Sequence, residues 1–308
     1  MLEPGRMLLV VFFCCGLLSP VLPHTDSDAA QPVQVQMRNV NFWADHNIIL
    51  EIHRLRGEMV PTQHNRPVTF DDSNSFIIRI ESAEIVMRAE SLANLLNSYV
   101  FAYPGAPLKN IRVTISHGRL KQTGTMRKGI DMPFEVEGAV SSTPDGNIRM
   151  HVDKLRSAHI PFKGLLHLFG EDLSKLISLK QGRGLKIEGD DILMFPSQML
   201  PPPRIEGHIA SVRLEEGAIV QVFDSGRRAP ELAPPLNARN YIYHRGGVLR
   251  FGKLTMSDAD LEIVDDDPKT PFEFYLRDYN HQLAAGYSKN TLSHGLIVHM
   301  PDYRHVLP

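Results

Sequence analysis

Three consecutive aspartates form a dense group of potential metal ligands in the sequence. Asp265, Asp266 and Asp267 follow a strand-like segment, and Asp258 and Asp260 lie nearby. Carboxylate oxygens clustered on a loop are the ligands that Ca²⁺ prefers in proteins. The spacing does not match an EF-hand loop. A solvated acidic turn before a helix N-terminus, where negative charge is favourable, explains the same residues and is the favoured interpretation.

Catalytic signatures are absent from the sequence. It contains no Gly-x-Ser-x-Gly nucleophile elbow, no His-Glu-x-x-His zinc motif and no phosphate-binding P-loop. The 14 histidines are scattered, and the two cysteines, Cys14 and Cys15, are adjacent near the N-terminus. We therefore predict no catalytic residue and no cofactor. Apart from the open question of Ca²⁺ at the aspartates, we also predict no metal site.

A stretch of unbalanced positive charge suggests a different chemistry, the attraction of anions. Residues 108–128 contain six Lys or Arg and no Asp or Glu. Two antiparallel strands joined at His117-Gly118 would place several of them on one face, which would attract anionic head groups. The residues predicted to meet a head group or an anionic bilayer are Lys109, Arg112, Lys121 and Arg127. The favoured alternative is that this stretch is simply solvated, or that it pairs with the acidic stretch over 258–278.

Three segments carry apolar residues at helical spacing, over 92–100, 162–177 and 272–283. The second is the most hydrophobic. A helix that is apolar around most of its circumference must be wrapped by other elements. This helix would supply one wall of an apolar groove for a ligand. The residues predicted to line the groove are Phe162, Leu165, Leu166, Phe169, Leu173 and Ile177.

Most of the remaining sequence alternates between apolar and polar residues with a period of two. Clear examples are 76–81, 111–115 and 134–137. This alternation is typical of half-buried antiparallel strands. Several runs change phase partway, which indicates bulges or bends. The predicted fold class is α+β: a long, curved, mainly antiparallel β-sheet wrapped on amphipathic helices, with a small C-terminal β/α extension.

The N-terminus has the pattern of a secretory signal peptide. A 12-residue apolar run over 7–18 follows Arg6 and ends at Ser19-Pro20. It is too short to span a bilayer, which needs about 20 residues. An uncleaved membrane anchor or a buried core helix are the alternatives. Cleavage would release the mature chain to the periplasm or the extracellular space.

The chain divides into four predicted segments. A signal peptide over 1–24 precedes a curved-sheet/helix domain over 33–224. A Pro-rich linker over 225–239 then leads to a C-terminal strand–helix extension over 240–308, which we expect to dock on the main sheet.

A set of short motifs lies between residues 76 and 223, around the apolar segment 162–179. They are Ser91-Leu92-Ala93-Asn94-Leu95-Leu96, Gly118-Arg119-Leu120-Lys121-Gln122-Thr123-Gly124, Pro133-Phe134, Asp145-Gly146 and Gly184-Leu185-Lys186-Ile187-Glu188-Gly189-Asp190-Asp191. This set, which covers about half of the chain, resembles the LmeA-like family of exported bacterial phospholipid-binding proteins. The resemblance implies a shape similar to the tubular lipid-binding fold, with acyl chains between a curved sheet and a long helix.

These features predict a non-enzymatic protein of the bacterial cell envelope that binds a lipid or another apolar ligand. Its partners would be that ligand and, peripherally, an anionic membrane. The formal net charge of −2 argues against a dedicated nucleic-acid binder. The alternative is a structural or envelope-assembly protein with a closed core and no ligand. An unrecognised hydrolase would require a convergent polar trio in a cleft, which the sequence does not show.

The signal-peptide interpretation predicts where the mature protein begins. We expect N-terminal sequencing of the soluble form, expressed in a bacterium, to find the first residue between His24 and Gln31. Retention of Met1 in the soluble form would contradict this prediction.

Overall fold

Strands dominate the architecture. The structure, a computed structural model, describes residues 31–128, 130–157, 183–227 and 231–307. Of these residues 58% lie in strands and 12% in helical turns, which makes the fold sheet-rich. The strands are β1 (Val33–Asp45), β2 (Ile48–Pro61), β3 (Val68–Thr69), β4 (Phe76–Arg88), β5 (Leu108–Ser116), β6 (Arg119–Lys128), β7 (Ile130–Ser142), β8 (Ile148–Ser157), β9 (Leu185–Glu188), β10 (Asp191–Met194), β11 (Arg204–Glu206), β12 (Ile209–Glu215), β13 (Ala218–Asp224), β14 (Tyr241–Phe251), β15 (Leu254–Asp265), β16 (Phe272–Tyr275), β17 (Tyr287–Asn290) and β18 (Leu296–Met300).

The helices of the described residues are short. They are α1 (Ala89–Leu95), α2 (Pro196–Met199) and α3 (Tyr279–Ala285). A π-helical turn, Leu96–Val100, extends α1, and 3₁₀ turns occur at Leu276–Asp278 and Tyr303–His305.

The larger sheet is built around a long hairpin of β1 and β2. Its main strand order is β12-β13-β4-β2-β1-β14-β15-β18-β17. Three further short strands pair in parallel with members of this path: β11 with β4, β16 with β1, and β3 with β14. The C-terminal strands β14, β15, β18 and β17 therefore continue the sheet beyond β1.

The smaller sheet is antiparallel throughout, with the order β5-β6-β7-β8-β10-β9. It meets the larger sheet near the β12–β13 hairpin, where the Ile209 N–H donates to the Gly146 carbonyl at 3.1 Å and the Gly217 N–H donates to the Ile115 carbonyl at 2.8 Å. Buried side chains of both sheets belong to one hydrophobic core. The two inner faces thus bury each other.

Bulges account for the changes of phase in the sequence. Ile80 pairs with Gly57 and Ser82 pairs with Arg56, so Glu81 is an extra residue on β4. In the same way, Asp153 is an extra residue on β8, between partners of Glu137 and Gly138 on β7. An extra residue reverses which face of the sheet the following side chains occupy.

The predicted α+β fold, in which a sheet is wrapped on amphipathic helices, is wrong for the described residues. The first apolar segment, 92–100, forms only α1 and a π-helical turn. The third, 272–283, begins as β16, and its α-helix starts only at Tyr279. β16 fills a free edge of β1, where pairing satisfies backbone groups that burial would otherwise leave without hydrogen bonds. The second segment, 162–177, lies outside the described residues.

A Pro-rich strap crosses the outer face of the larger sheet. We use this name for residues 231–239. The Leu232 N–H donates to the Gln36 Oε1 atom at 3.2 Å, and the Leu236 N–H donates to the Glu262 Oε2 atom at 2.7 Å. The strap is therefore attached to β1 and β15 through its backbone.

The bulge at Gly138 leaves no room for a side chain. A Cβ atom placed on Gly138 would lie 2.0 Å from the His151 carbonyl oxygen. We expect Gly138→Ala to lower the free energy of unfolding by about 3 kcal/mol, because β7 and β8 would have to separate. Urea denaturation measures this change. The neighbouring Ala139→Ser, at an exposed position, is the control and should differ from wild type by less than about 0.5 kcal/mol. Equal stability of all three proteins would contradict the close approach.

Candidate functional site: an apolar chamber between the sheets

A cavity of about 270 Å³ lies between the two sheets. We call it the chamber. Strands β2, β4, β8, β10 and β13 and helix α1 all contribute to its wall. Each of these elements contributes at least one apolar residue: Leu50 from β2, Ile85 from β4, Ile148 from β8, Met194 from β10, Ile219 from β13 and Leu95 from α1. Each of these side chains is at most 5% exposed, so the wall belongs to the hydrophobic core.

Strand alternation aims the wall residues into the chamber. On β13, Ile219 and Phe223 line it, whereas Val220 packs with Val86 in a separate cluster. On α1, Leu92 and Leu95 are three residues apart and line the chamber from one helical face. The period-two and helical patterns of the sequence therefore become two walls of one cavity.

Polar groups are confined to the rim and to one position on the wall. Asn147, Ser197 and Glu206 line the chamber and are half-exposed. The Glu206 Oε1 atom pairs with the Arg204 Nη2 atom at 2.8 Å. The remaining polar side chain, Gln221, is only 6% exposed and lies between Ile219 and Phe223 on the chamber face of β13. The site can hold an apolar group while leaving a polar one near the surface.

The groove residues predicted from the sequence lie outside the described residues. They are Phe162, Leu165, Leu166, Phe169, Leu173 and Ile177. The described chain stops at Ser157, at the end of β8, and resumes at Arg183. Sequence reasoning missed Met194, Met199 and Gln221. The signal for Gln221 was present, because a glutamine interrupts the apolar run of β13.

The four basic residues predicted to meet anions lie on or beside the outer face of the smaller sheet, and none of them lines the chamber. The Lys121 Nζ atom lies 2.8 Å from the Glu135 Oε2 atom. The Arg127 Nε atom lies 3.8 Å from the Asp131 Oδ1 atom. Lys109 and Arg112 are exposed. The acidic partners come from β7, so the outer face has mixed charge. The sequence window 108–128 could not show this, because the acids follow it.

Asp265, one of the clustered aspartates considered as a calcium ligand, is buried and hydrogen-bonded to a side-chain amide and a backbone N–H. Asp265 is 3% exposed; its Oδ2 atom accepts from the Asn240 Nδ2 atom at 2.8 Å and its Oδ1 atom accepts from the Asp267 N–H at 2.9 Å. Burial raises the pKa of Asp265 to about 6. In the described ranges, no three His, Cys, Asp or Glu side chains are grouped so that they could hold a metal ion.

A second buried titratable group, His244 on β14, lies among aromatic rings. It is 1% exposed, and its ring contacts that of Phe70 at 5.3 Å between centroids. Its Nδ1 atom has no hydrogen-bond partner among the residues described. Burial lowers the pKa of His244 to about 3, although a backbone hydrogen bond with Leu261 opposes the shift. His244 is therefore neutral in the folded protein near neutral pH.

The chain was compared with protein-family models, with curated proteins and with solved structures, and no match was found in any of the three. Among the described helices, none is both long enough and apolar enough to cross a membrane.

His244 makes the folded protein sensitive to acid. Below pH 6.5 the unfolded chain binds a proton at this position and the folded chain does not, so stability falls as the pH falls towards 3. We expect His244→Leu to remove this loss. As the pH falls from 6 to 4, the free energy of unfolding of the variant should increase relative to that of wild type by about 1 kcal/mol for each pH unit.

Urea denaturation at several pH values measures this difference. The raised pKa of Asp265 acts in the opposite direction, because the folded state takes up that proton first as the pH falls. This contribution is common to both proteins and cancels in the comparison. A stability difference that does not change with pH would show that His244 is not buried in its neutral form.

Proposed function

We propose that this protein is an exported, non-enzymatic binding protein that holds a lipid chain or another apolar ligand in the chamber. The observation that carries the proposal is an apolar cavity, with polar groups at its rim, that lies between two sheets instead of being filled by their side chains. Protein interiors are normally close-packed, so a cavity of this size is a natural ligand site.

The size of the chamber favours a single aliphatic chain. Ligand pockets range from about 300 to 1,000 Å³, and the chamber, at about 270 Å³, is slightly smaller than this range. Each CH₂ group moved from water into it contributes about 0.8 kcal/mol, so a chain can bind without any catalytic or ionic group. The half-exposed Asn147 and Ser197 offer hydrogen bonds to a polar group at the rim.

The remaining elements of the proposal come from the sequence. The signal-peptide pattern over 1–24 supports export to the periplasm or beyond. The motifs similar to those of LmeA-like proteins support a phospholipid or a related lipid as the ligand. The exposed Lys109 and Arg112 support a peripheral contact with an anionic membrane.

Filling the chamber tests the proposal. We expect wild type to bind the apolar dye N-phenyl-1-naphthylamine, with a rise in fluorescence, and Ile85→Phe to bind it at least tenfold more weakly. The phenyl ring, which is larger than the isoleucine side chain, would occupy the part of the chamber that the ligand needs, while the core stays packed. Ile77→Phe is the control, since Ile77 lies on the same strand but outside the chamber wall.

Native mass spectrometry of the purified protein should also detect a co-purified apolar molecule that is missing from Ile85→Phe. If wild type neither binds the dye nor carries a ligand, the structural or envelope-assembly interpretation replaces this proposal. Equal dye binding by wild type and both variants would show that the dye binds elsewhere.

A further inference from the structure

Gln221 is a buried polar side chain on an apolar wall. It is 6% exposed, and its neighbours on the same face of β13, Ile219 and Phe223, are 3% and 6% exposed. Gln221 pairs with Ile85 on β4 and with Val212 on β12, so it lies inside the sheet and not at its edge. Its position is therefore fixed by backbone pairing on both sides.

The side-chain amide of Gln221 makes no hydrogen bond with the residues that the structure describes, and its atoms are not among the fully enclosed polar atoms, so they remain reachable from the chamber that Gln221 lines. An amide can donate two hydrogen bonds and accept two, and leaving it unpaired away from bulk water is costly. A leucine or methionine at this position would pack against the chamber without that cost. The cost is recovered when a group inside the chamber pairs with the amide.

We propose that Gln221 determines the specificity of the chamber by hydrogen-bonding an uncharged oxygen, such as an ester or hydroxyl oxygen, carried on the aliphatic chain of the ligand. This inference rests on the proposed function and narrows its ligand class from any apolar molecule to a chain with one neutral polar group. The amide then recognises the ligand, while the aliphatic wall supplies most of its affinity.

The charges around the chamber explain why the oxygen is uncharged. Glu206 is the one ionisable side chain among the described residues that line the chamber, and it lies at the rim, paired with Arg204. A carboxylate or phosphate at the depth of Gln221 would lose its hydration without gaining a cation. A neutral ester or hydroxyl group loses less hydration and gains the amide as a partner.

A thermodynamic cycle with two matched ligands tests the inference. Octan-1-ol and octane differ by one oxygen, and their affinities are measured by displacement of N-phenyl-1-naphthylamine. The ratio of the octan-1-ol affinity to the octane affinity should fall by about fivefold from wild type to Gln221→Met, the value of one hydrogen bond. Met is nearly the same length as Gln, so the variant should keep or increase the wild-type Tm.

Gln122→Met is the matched control. Gln122 on β6 is 8% exposed but does not line the chamber, so the affinity ratio of this variant should equal that of wild type. A measurement on wild type alone complements the cycle. The side-chain amide resonance of Gln221 should shift when octan-1-ol is added and should stay unchanged with octane.

The outcomes separate the two proposals. If both ligands bind and the affinity ratio is the same in wild type and Gln221→Met, Gln221 does not recognise the oxygen, and the proposed function stands. A side-chain amide resonance that does not respond to bound octan-1-ol leads to the same conclusion. If the dye binds in the chamber but neither ligand displaces it, this inference fails and the proposed function stands. If the dye does not bind in the chamber of wild type, both proposals fail together.

Discussion

The need to pair every buried strand edge governs this structure. The long β1–β2 hairpin lies in the middle of the larger sheet, so both of its outer edges are buried and their N–H and C=O groups require partners. One strand, β4, covers the outer edge of β2. No single strand covers the outer edge of β1 or the far edge of β4. The edge of β1 is shared by β14 and β16, and that of β4 by β13 and β11. Distant parts of the chain are thereby brought into one sheet.

This sharing of edges also creates the candidate site. β13 and β11 are held on β4, and between them they place Ile219, Gln221 and Ile205 opposite the smaller sheet. The two sheets meet near the β12–β13 hairpin, but their inner faces do not close completely. The cavity that remains has an apolar wall because the side chains on both inner faces are apolar core residues. Its one buried amide is therefore conspicuous against the surrounding hydrocarbon.

Much of the sheet could be predicted from the sequence, and the prediction of a β-sheet is confirmed, whereas the α+β arrangement of that sheet wrapped on amphipathic helices is wrong. Alternation is a local signal, so strands such as Phe76–Arg88 were visible without a partner. Phe272, Tyr275 and Tyr279 also fit helical spacing, and only the free edge of β1 decided that Phe272–Tyr275 is a strand. The acidic partners of Lys121 and Arg127 lie on β7, outside the basic stretch 108–128, so the composition of that stretch does not reveal them. The role proposed for Gln221 depends on what faces its side chain, and that is set by tertiary packing.

The strap over the outer face has an evolutionary consequence. Gln36 and Glu262 hold it through the backbone N–H groups of Leu232 and Leu236, and the Leu236 side chain is itself 48% exposed. A hydrogen bond to a backbone N–H group can form whatever side chain the donor residue carries, except that of proline. Homologous chains should therefore differ freely in the identity of the strap residues while keeping the length of the strap. A deletion would move both N–H groups out of reach, and the buried Glu262 carboxyl would lose the hydrogen bond from Leu236. Selection on this segment would then act on its length more than on its composition.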